Sequence, residues 1–299
     1  MSCFGFLRKR KLQKQTTQDP PLRLDPYVYT RTVNGHEIAY TDYGHTHPGP
    51  AIVTFSGWNQ DHRCWANVAP LLVPRYRVIS ICFRDHGPNR DPVPDYGFED
   101  HADDVLALLD QLQVIQFVCM AASHGSWPAM IVAEKAGRDR VPAILILSLM
   151  MAEASPEFLG LCRALQGRET WQSAVQLFFK GALGGSQNRE AREQVLGNMG
   201  GFGSDTWARS GRTIEQAYKQ WGSPLKRMEQ LDDPPLIHHL YSQPDAAQYH
   251  ALHREFRQKH PKWFSYTHLA GETHCPHMEN PAAVQQVMTD LIQRGMAKS

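Results

Sequence analysis

Short, nearly unbroken apolar runs recur along the chain at AIVTFS (51–56), RVISICF (77–83), FVCMAAS (117–123), AILILSL (143–149), PLIHHLYS (235–242) and WFSYTHL (263–269). Runs of this length, rich in Val, Ile and Phe, suit strands covered on both faces, as in a parallel sheet. Between them the period changes. Over 100–112 the apolar residues fall at Val105, Leu108, Leu109 and Leu112, which is helical spacing. A second helix is predicted over 127–137, stopping at Gly137, and others near 246–258 and 281–294. Residues 30–44 read as two strands turning at Asn34-Gly35. Strands alternating with helices predict an α/β fold with a mostly parallel central sheet flanked by helices. The alternation fails over 155–230, which holds helical segments and glycine-rich turns but no strand pattern. The predicted organisation is a tail (1–26), a core in two pieces (27–154 and 231–299) and an inserted helical cap (155–230).

Composition narrows the class. At 42% hydrophobic and 20% charged residues over 299 positions, the chain has enough apolar side chains for a packed core, which excludes disorder. A net charge of +1 gives no reason to expect a nucleic-acid partner. That balance hides an asymmetry. Arg8, Lys9, Arg10, Lys11 and Lys14 give residues 1–16 a charge of +5, so the remainder carries −4. A solvated tail is expected; membrane contact is conceivable only through that tail with an acylated Cys3. The cysteines, at 3, 64, 82, 119, 162 and 275, form no CxxC pair, which suits free thiols and a cytoplasmic location. Membrane association or mitochondrial targeting through the tail are the alternatives.

Candidate chemistry centres on A-A-S-H-G (121–125), where an apolar strand runs directly into a helix. This is the setting of a nucleophile elbow, G-x-S-x-G, with Ala121 in place of the first glycine. The competing reading of Ser123 is a helix cap. A serine of this kind needs a base and an orienting acid, in chain order Ser…Asp/Glu…His. His274, in A-G-E-T-H-C-P (270–276), lies just past the final strand and supplies the base. Asp245 follows 235–242 and is the candidate acid, although S-Q-P-D is also good turn chemistry. In S-G-W-N-Q-D-H (56–62), the backbone N–H near Trp58, with that of His124, can form an oxyanion hole. Neither His238-His239 nor His274-x-x-His277 has the spacing of a metal pair on one helical face, so no metal is expected. Met150, Met151, Trp171, Phe178 and Phe179 are candidate pocket walls, with ordinary core packing as the alternative for each.

At F-S-G-W-N-Q-D-H-R (55–63), S-H-G-S-W (123–127), S-D-T-W-A-R-S-G-R (204–212), S-Q-P (242–244), H-P-K-W-F-S-Y (260–266) and G-E-T-H-C-P (271–276), the chain resembles the cofactor-free 2,4-dioxygenases of 3-hydroxy-4-quinolones, a branch of the α/β-hydrolase fold. The resemblance spans roughly residues 28–295. It implies a small aromatic heterocyclic substrate, O2 as co-substrate, and release of carbon monoxide and an N-acylanthranilate without metal or flavin. It also implies that His274 takes the proton of the 3-hydroxyl, that Ser123 holds that hydroxyl, and that Trp58 and His124 offer backbone donors. There are departures. Ser148 stands where the family has its acid, Gln60 stands where it has a second pocket histidine, and a large cap aromatic aligns near Ala182.

These departures leave alternatives open. With the acid moved to the next strand, Ser123–His274–Asp245 would serve a hydrolase of esters, lactones or amides; Glu153 is a further candidate acid. With chemistry lost, the same scaffold would bind a small molecule without turning it over.

Overall fold

The computed structural model describes residues 28–88 and 92–297; the basic tail and Cys3 lie outside the described residues. Eight strands form one sheet: β1 Val28–Val33, β2 His36–Tyr43, β3 Ala51–Phe55, β4 Val78–Ile81, β5 Phe117–Ala122, β6 Ala143–Leu147, β7 Leu236–Tyr241 and β8 Phe264–His268. Their order across the sheet is β1-β2-β4-β3-β5-β6-β7-β8. β1 and β2 form the antiparallel hairpin, with Val33 opposite His36 around the Asn34-Gly35 turn. β2 is antiparallel to β4, and from β4 to β8 every pairing is parallel. β3, β4, β5, β6 and β7 are buried along their whole length, the burial that near-continuous apolar runs require.

Helices cover the sheet. α1 (Phe98–Gln111) buries Val105, Leu108 and Leu109, each worth about 1.5–3 kcal/mol on the area scale. α2 (Ser126–Ala136) packs over β3, β5 and β6. Between β6 and β7 come α3 (Pro156–Ala164), α4 (Trp171–Leu183) and α5 (Ser204–Trp221), joined by shorter turns and followed by a short helix over Pro224–Glu229. Ser155 starts α3 by accepting the N–H of Phe158. α5 crosses α3 at Gly211, where a Cβ would lie 2.4 Å from the Cys162 carbonyl oxygen. α5 buries Trp207, Ile214, Tyr218 and Trp221. After β7 comes α6 (Ala247–Lys259), and after β8 the chain ends in α7 (Pro281–Met296), which packs on β6 and β7.

The cysteines at 64, 82, 119, 162 and 275 are buried and none is in a disulfide. Among the described residues, no helix is long and apolar enough to cross a membrane. At the carboxyl edge of the sheet the loops after β3, β5, β6 and β8 meet the helices inserted between β6 and β7, Trp58 on Phe178, His124 on Phe158, Met150 on Tyr218 and His274 on Ala182. In parallel sheets this is the edge where ligands bind.

Candidate active site

Ser123 sits at the turn from β5 into α2 with φ +48°, a left-handed conformation rare for a residue with a Cβ. The turn is tight because β3 runs beside it. A Cβ on Gly125 would lie 2.3 Å from the Ser56 carbonyl oxygen and 2.6 Å from that of Phe55. Gly125 is therefore the glycine this elbow cannot lose. The side chain of Ala121, by contrast, fits in the core with no exposure. Ser123 itself stays half-buried, with its Oγ 3.2 Å from His274 Nε2.

The loop that delivers His274 is tied down on several sides. The Glu279 carboxylate accepts the N–H groups of Glu272 and Thr273 at 3.1 Å each. Ser242 Oγ donates to the Thr273 carbonyl at 2.9 Å, and the His274 N–H donates to the Ala182 carbonyl of α4 at 3.0 Å. Burial pushes the His274 imidazole down to about 4. At neutral pH it is an uncharged base, and in the tautomer with the proton on Nδ1 the Ser123 hydroxyl donates to Nε2.

Asp245 is not the acid of this pair. Its carboxylate, 60% exposed, accepts from His250 Nε2 at 2.8 Å and lies 3.8 Å from His268 Nε2. The turn after β7 directs it toward the first turn of α6, where His250 waits, held from behind by Tyr241 Oη at 2.7 Å. Glu153 also fails, being exposed and paired with Lys226. Among the described residues, no carboxylate hydrogen-bonds the His274 ring. Ala122 and Leu147 are register partners, so Ser148 follows β6 at the place where Ser123 follows β5. Ser148 also has a left-handed φ, +52°, and its buried Oγ has no partner.

A cavity of about 360 Å3 of empty space, part of it open to solvent, lies over this pair. Trp58, Gln60, Ser123, Phe178, Met199 and His277 line it, together with His274. The Trp58 ring meets Phe178 at 5.1 Å and Trp207 at 5.9 Å, an aromatic wall shared by core and cap. Gln60 accepts the Gly57 N–H through Oε1 at 3.0 Å and points Nε2 at Met199 Sδ, bracing the loop after β3. The His124 N–H opens the helical turn after the elbow, where backbone donors have no intrahelical partner. Its side chain has a fixed tautomer. Trp127 Nε1 donates to His124 Nδ1 at 3.2 Å, so Nε2 carries the proton.

Of the five expected walls only Phe178 lines this cavity. Phe179 packs behind it on Trp207, Met151 is buried with its N–H on Tyr249 Oη, Met150 is exposed, and Trp171 packs half-buried against the core. The apolar pattern marked these side chains as buried without saying from which side. Trp207 and His277 were missed. His277 is 2% exposed, its ring tilted against that of Trp65 at 5.4 Å, and both of its ring nitrogens lack a partner. Its position three residues after His274 was the available signal. A neighbouring cavity of about 370 Å3, lined by Trp58, Phe83, His86, Tyr96, His124 and Arg209, shares Trp58 with the first. There Asp85 holds Arg209, Tyr96 Oη and His86 Nδ1 together.

The fold and the elbow are those of the alpha/beta hydrolase family, whose pattern matches residues 52–287. A 2-heptyl-3-hydroxy-4(1H)-quinolone dioxygenase of Mycobacteroides abscessus is 43% identical over 89% of this chain and 98% of its own length. A 1H-3-hydroxy-4-oxoquinoline 2,4-dioxygenase of Pseudomonas putida is 34% identical over 87% and 98%. Among solved structures, an AqdC variant in complex with its substrate, from work on ring cleavage of the Pseudomonas quinolone signal, superposes with a TM-score of 0.87 at 42% identity, covering 89% of this chain and 99% of that one. The chain belongs to the alpha/beta hydrolase family and, within it, to the 3-hydroxy-4-quinolone 2,4-dioxygenases.

Proposed function

We propose that the chain opens the ring of a 2-alkyl-3-hydroxy-4(1H)-quinolone with O2, releasing carbon monoxide and an N-acylanthranilate, and needs no metal or flavin. The observation that carries this reading is an uncharged His274 bonded to Ser123 under an aromatic wall. His274 Nε2 takes the proton of the 3-hydroxyl. The resulting electron-rich anion itself reduces O2, so the protein supplies a base, orientation and a dry pocket. Ser123 holds the hydroxyl. The backbone N–H of His124 and one near Trp58 face the ring carbonyl, where negative charge gathers. His277 offers one donor and one acceptor to the bound heterocycle or to a water beside it.

A serine hydrolase is the second reading, favoured by the strained elbow and the 3.2 Å contact. It asks more of the histidine, because an acyl-transfer triad uses its carboxylate to stabilise the imidazolium. One experiment separates the two. The protein is incubated with 2-heptyl-3-hydroxy-4(1H)-quinolone with and without O2, following ring absorbance and carbon monoxide. Oxygen-dependent turnover without added metal supports ring cleavage. Labelling of Ser123 by a fluorophosphonate together with ester turnover, and no use of O2, selects the hydrolase. Binding without either reaction selects a non-catalytic role.

A further inference from the structure

We propose that Asp245, His250 and His268 form a binding site for a divalent transition-metal cation of the zinc type, outside the cavity over Ser123. Three elements converge there: the turn after β7, the first turn of α6 and the last residue of β8. Their ligand atoms, one carboxylate oxygen and two imidazole nitrogens, all lie within 4.8 Å of one another. His250 Nε2 is 2.8 Å and His268 Nε2 3.8 Å from the same Asp245 oxygen. Ligand atoms around a tetrahedral zinc stand roughly 3.3 Å apart, given bonds of about 2.0–2.1 Å. Small side-chain rotations bring these three to that spacing, with His268 Nε2 giving up its 3.2 Å contact with the Ser242 carbonyl. Imidazole with one carboxylate suits zinc, nickel or copper rather than magnesium or calcium, which prefer all-oxygen shells.

The far side of the site is also built. Tyr241 Oη sits 2.7 Å from His250 Nδ1, and Tyr241 is wholly buried, so the ring that presents Nε2 is fixed in orientation. With a metal on Nε2, Nδ1–H donates to Tyr241 Oη, the outer-shell partner that metal-bound histidines typically have. The His268 ring packs 5.1 Å from Tyr241 and 4.7 Å from His250. The exposed Asp245 carboxylate leaves an entry path and an open position for water.

The cation would brace the loop leading to His274 without touching the reaction. Gln243 Nε2 already donates to the Gly271 carbonyl at 2.7 Å, and Leu269 N–H to that of Tyr241 at 2.9 Å. A metal joining Asp245 and His250 to His268 adds a third tie across the same gap. This inference stands apart from the ring-cleavage reading, because its test reads binding and not turnover.

The full chain, stripped with EDTA and returned to a non-chelating buffer, is titrated with Zn2+ by calorimetry and with Co2+ by visible absorption. One saturable site of micromolar affinity is expected, with the Co2+ bands of a four- or five-coordinate site. D245N, H250Q and H268Q should each weaken Zn2+ binding at least tenfold, while H45Q, a histidine elsewhere on the chain, should not. If H250Q fails to fold because its Tyr241 contact is lost, D245N and H268Q decide the matter. No saturable uptake of Zn2+ up to 100 μM, or unchanged affinity in D245N and H268Q, overturns the proposal.

Discussion

Lowering the pH from neutral is expected to unfold this protein before it titrates the base in its active site. His101, His124 and His277 are pushed by burial down to about 3, and His238, His253 and His274 to about 4. In the unfolded chain the same side chains titrate near 6.5. The unfolded state therefore binds more protons below that value, and stability falls as pH drops through it. Between about pH 7 and pH 5.5, each such histidine removes about 1.2 kcal/mol from the folding free energy. Together these six remove about 7 kcal/mol, comparable with the whole stability of a typical domain, about 5–15 kcal/mol. Asp61 and Asp85 contribute nothing in this window. Burial of Asp61 and Asp85 is outweighed by hydrogen bonds from Arg63 and from His86, so both stay ionised and their loss begins only below about pH 4. Urea unfolding at a series of pH values measures the slope, and turnover over the same range measures the acid limb. The expected result is a slope of roughly five protons near pH 5.5 and an acid limb that tracks unfolding. A slope below about two protons, or a single-proton acid limb in protein still folded, refutes the reasoning.

The remaining predictions concern single side chains. His274→Gln should cut ring cleavage by about 10²–10⁴-fold, the usual worth of a general base, while Ser123→Ala leaves measurable turnover because its hydroxyl only holds the substrate; steady-state rates of the two variants check this. Asp245→Asn should leave kcat within about twofold of the parent, since its carboxylate bonds His250 and not His274; a loss of orders of magnitude in the same assay would restore it as the acid. Gly125→Ala should cost about 2 kcal/mol or more in urea unfolding, because its Cβ meets two backbone oxygens. Ser148→Asp should place a carboxylate one strand away from Ser123 and raise the His274 pKa above about 4, read by NMR titration, with faster fluorophosphonate labelling of Ser123.

Much of this architecture was legible because the strand signal is strong when both faces are covered. AILIL and FVCMAA are apolar throughout, and each became a strand buried at every position. The elbow was legible for the same reason: a strand running into a helix with Ser123 between leaves few other conformations. His274 followed from its place after the last strand. What sequence does not carry is direction. Asp245 had the correct position in chain order, yet where its carboxylate went was decided by His250 and Tyr241, residues on other elements. The cap walls failed similarly. Phe178 and Phe179 are adjacent on α4 and so point about 100° apart; both touch Trp207, but only Phe178 lines the cavity while Phe179 is buried behind it.

The missing carboxylate bears on which chemistry the scaffold favours. Hydrolysis through Ser123 would pass through an imidazolium at His274, and burial already disfavours that charge. Ser148 Oγ is neutral, and among the described residues no carboxylate hydrogen-bonds the His274 ring: Asp245 pairs with His250, Glu153 with Lys226, and Glu279 accepts backbone N–H groups. Proton abstraction from an acidic enol also charges the histidine, but there the charge forms beside the substrate's own anion. That anion supplies the counter-charge which a triad draws from its aspartate. A base with no acid behind it is thus a poor partner for a serine nucleophile, and a sufficient one for a substrate that ionises.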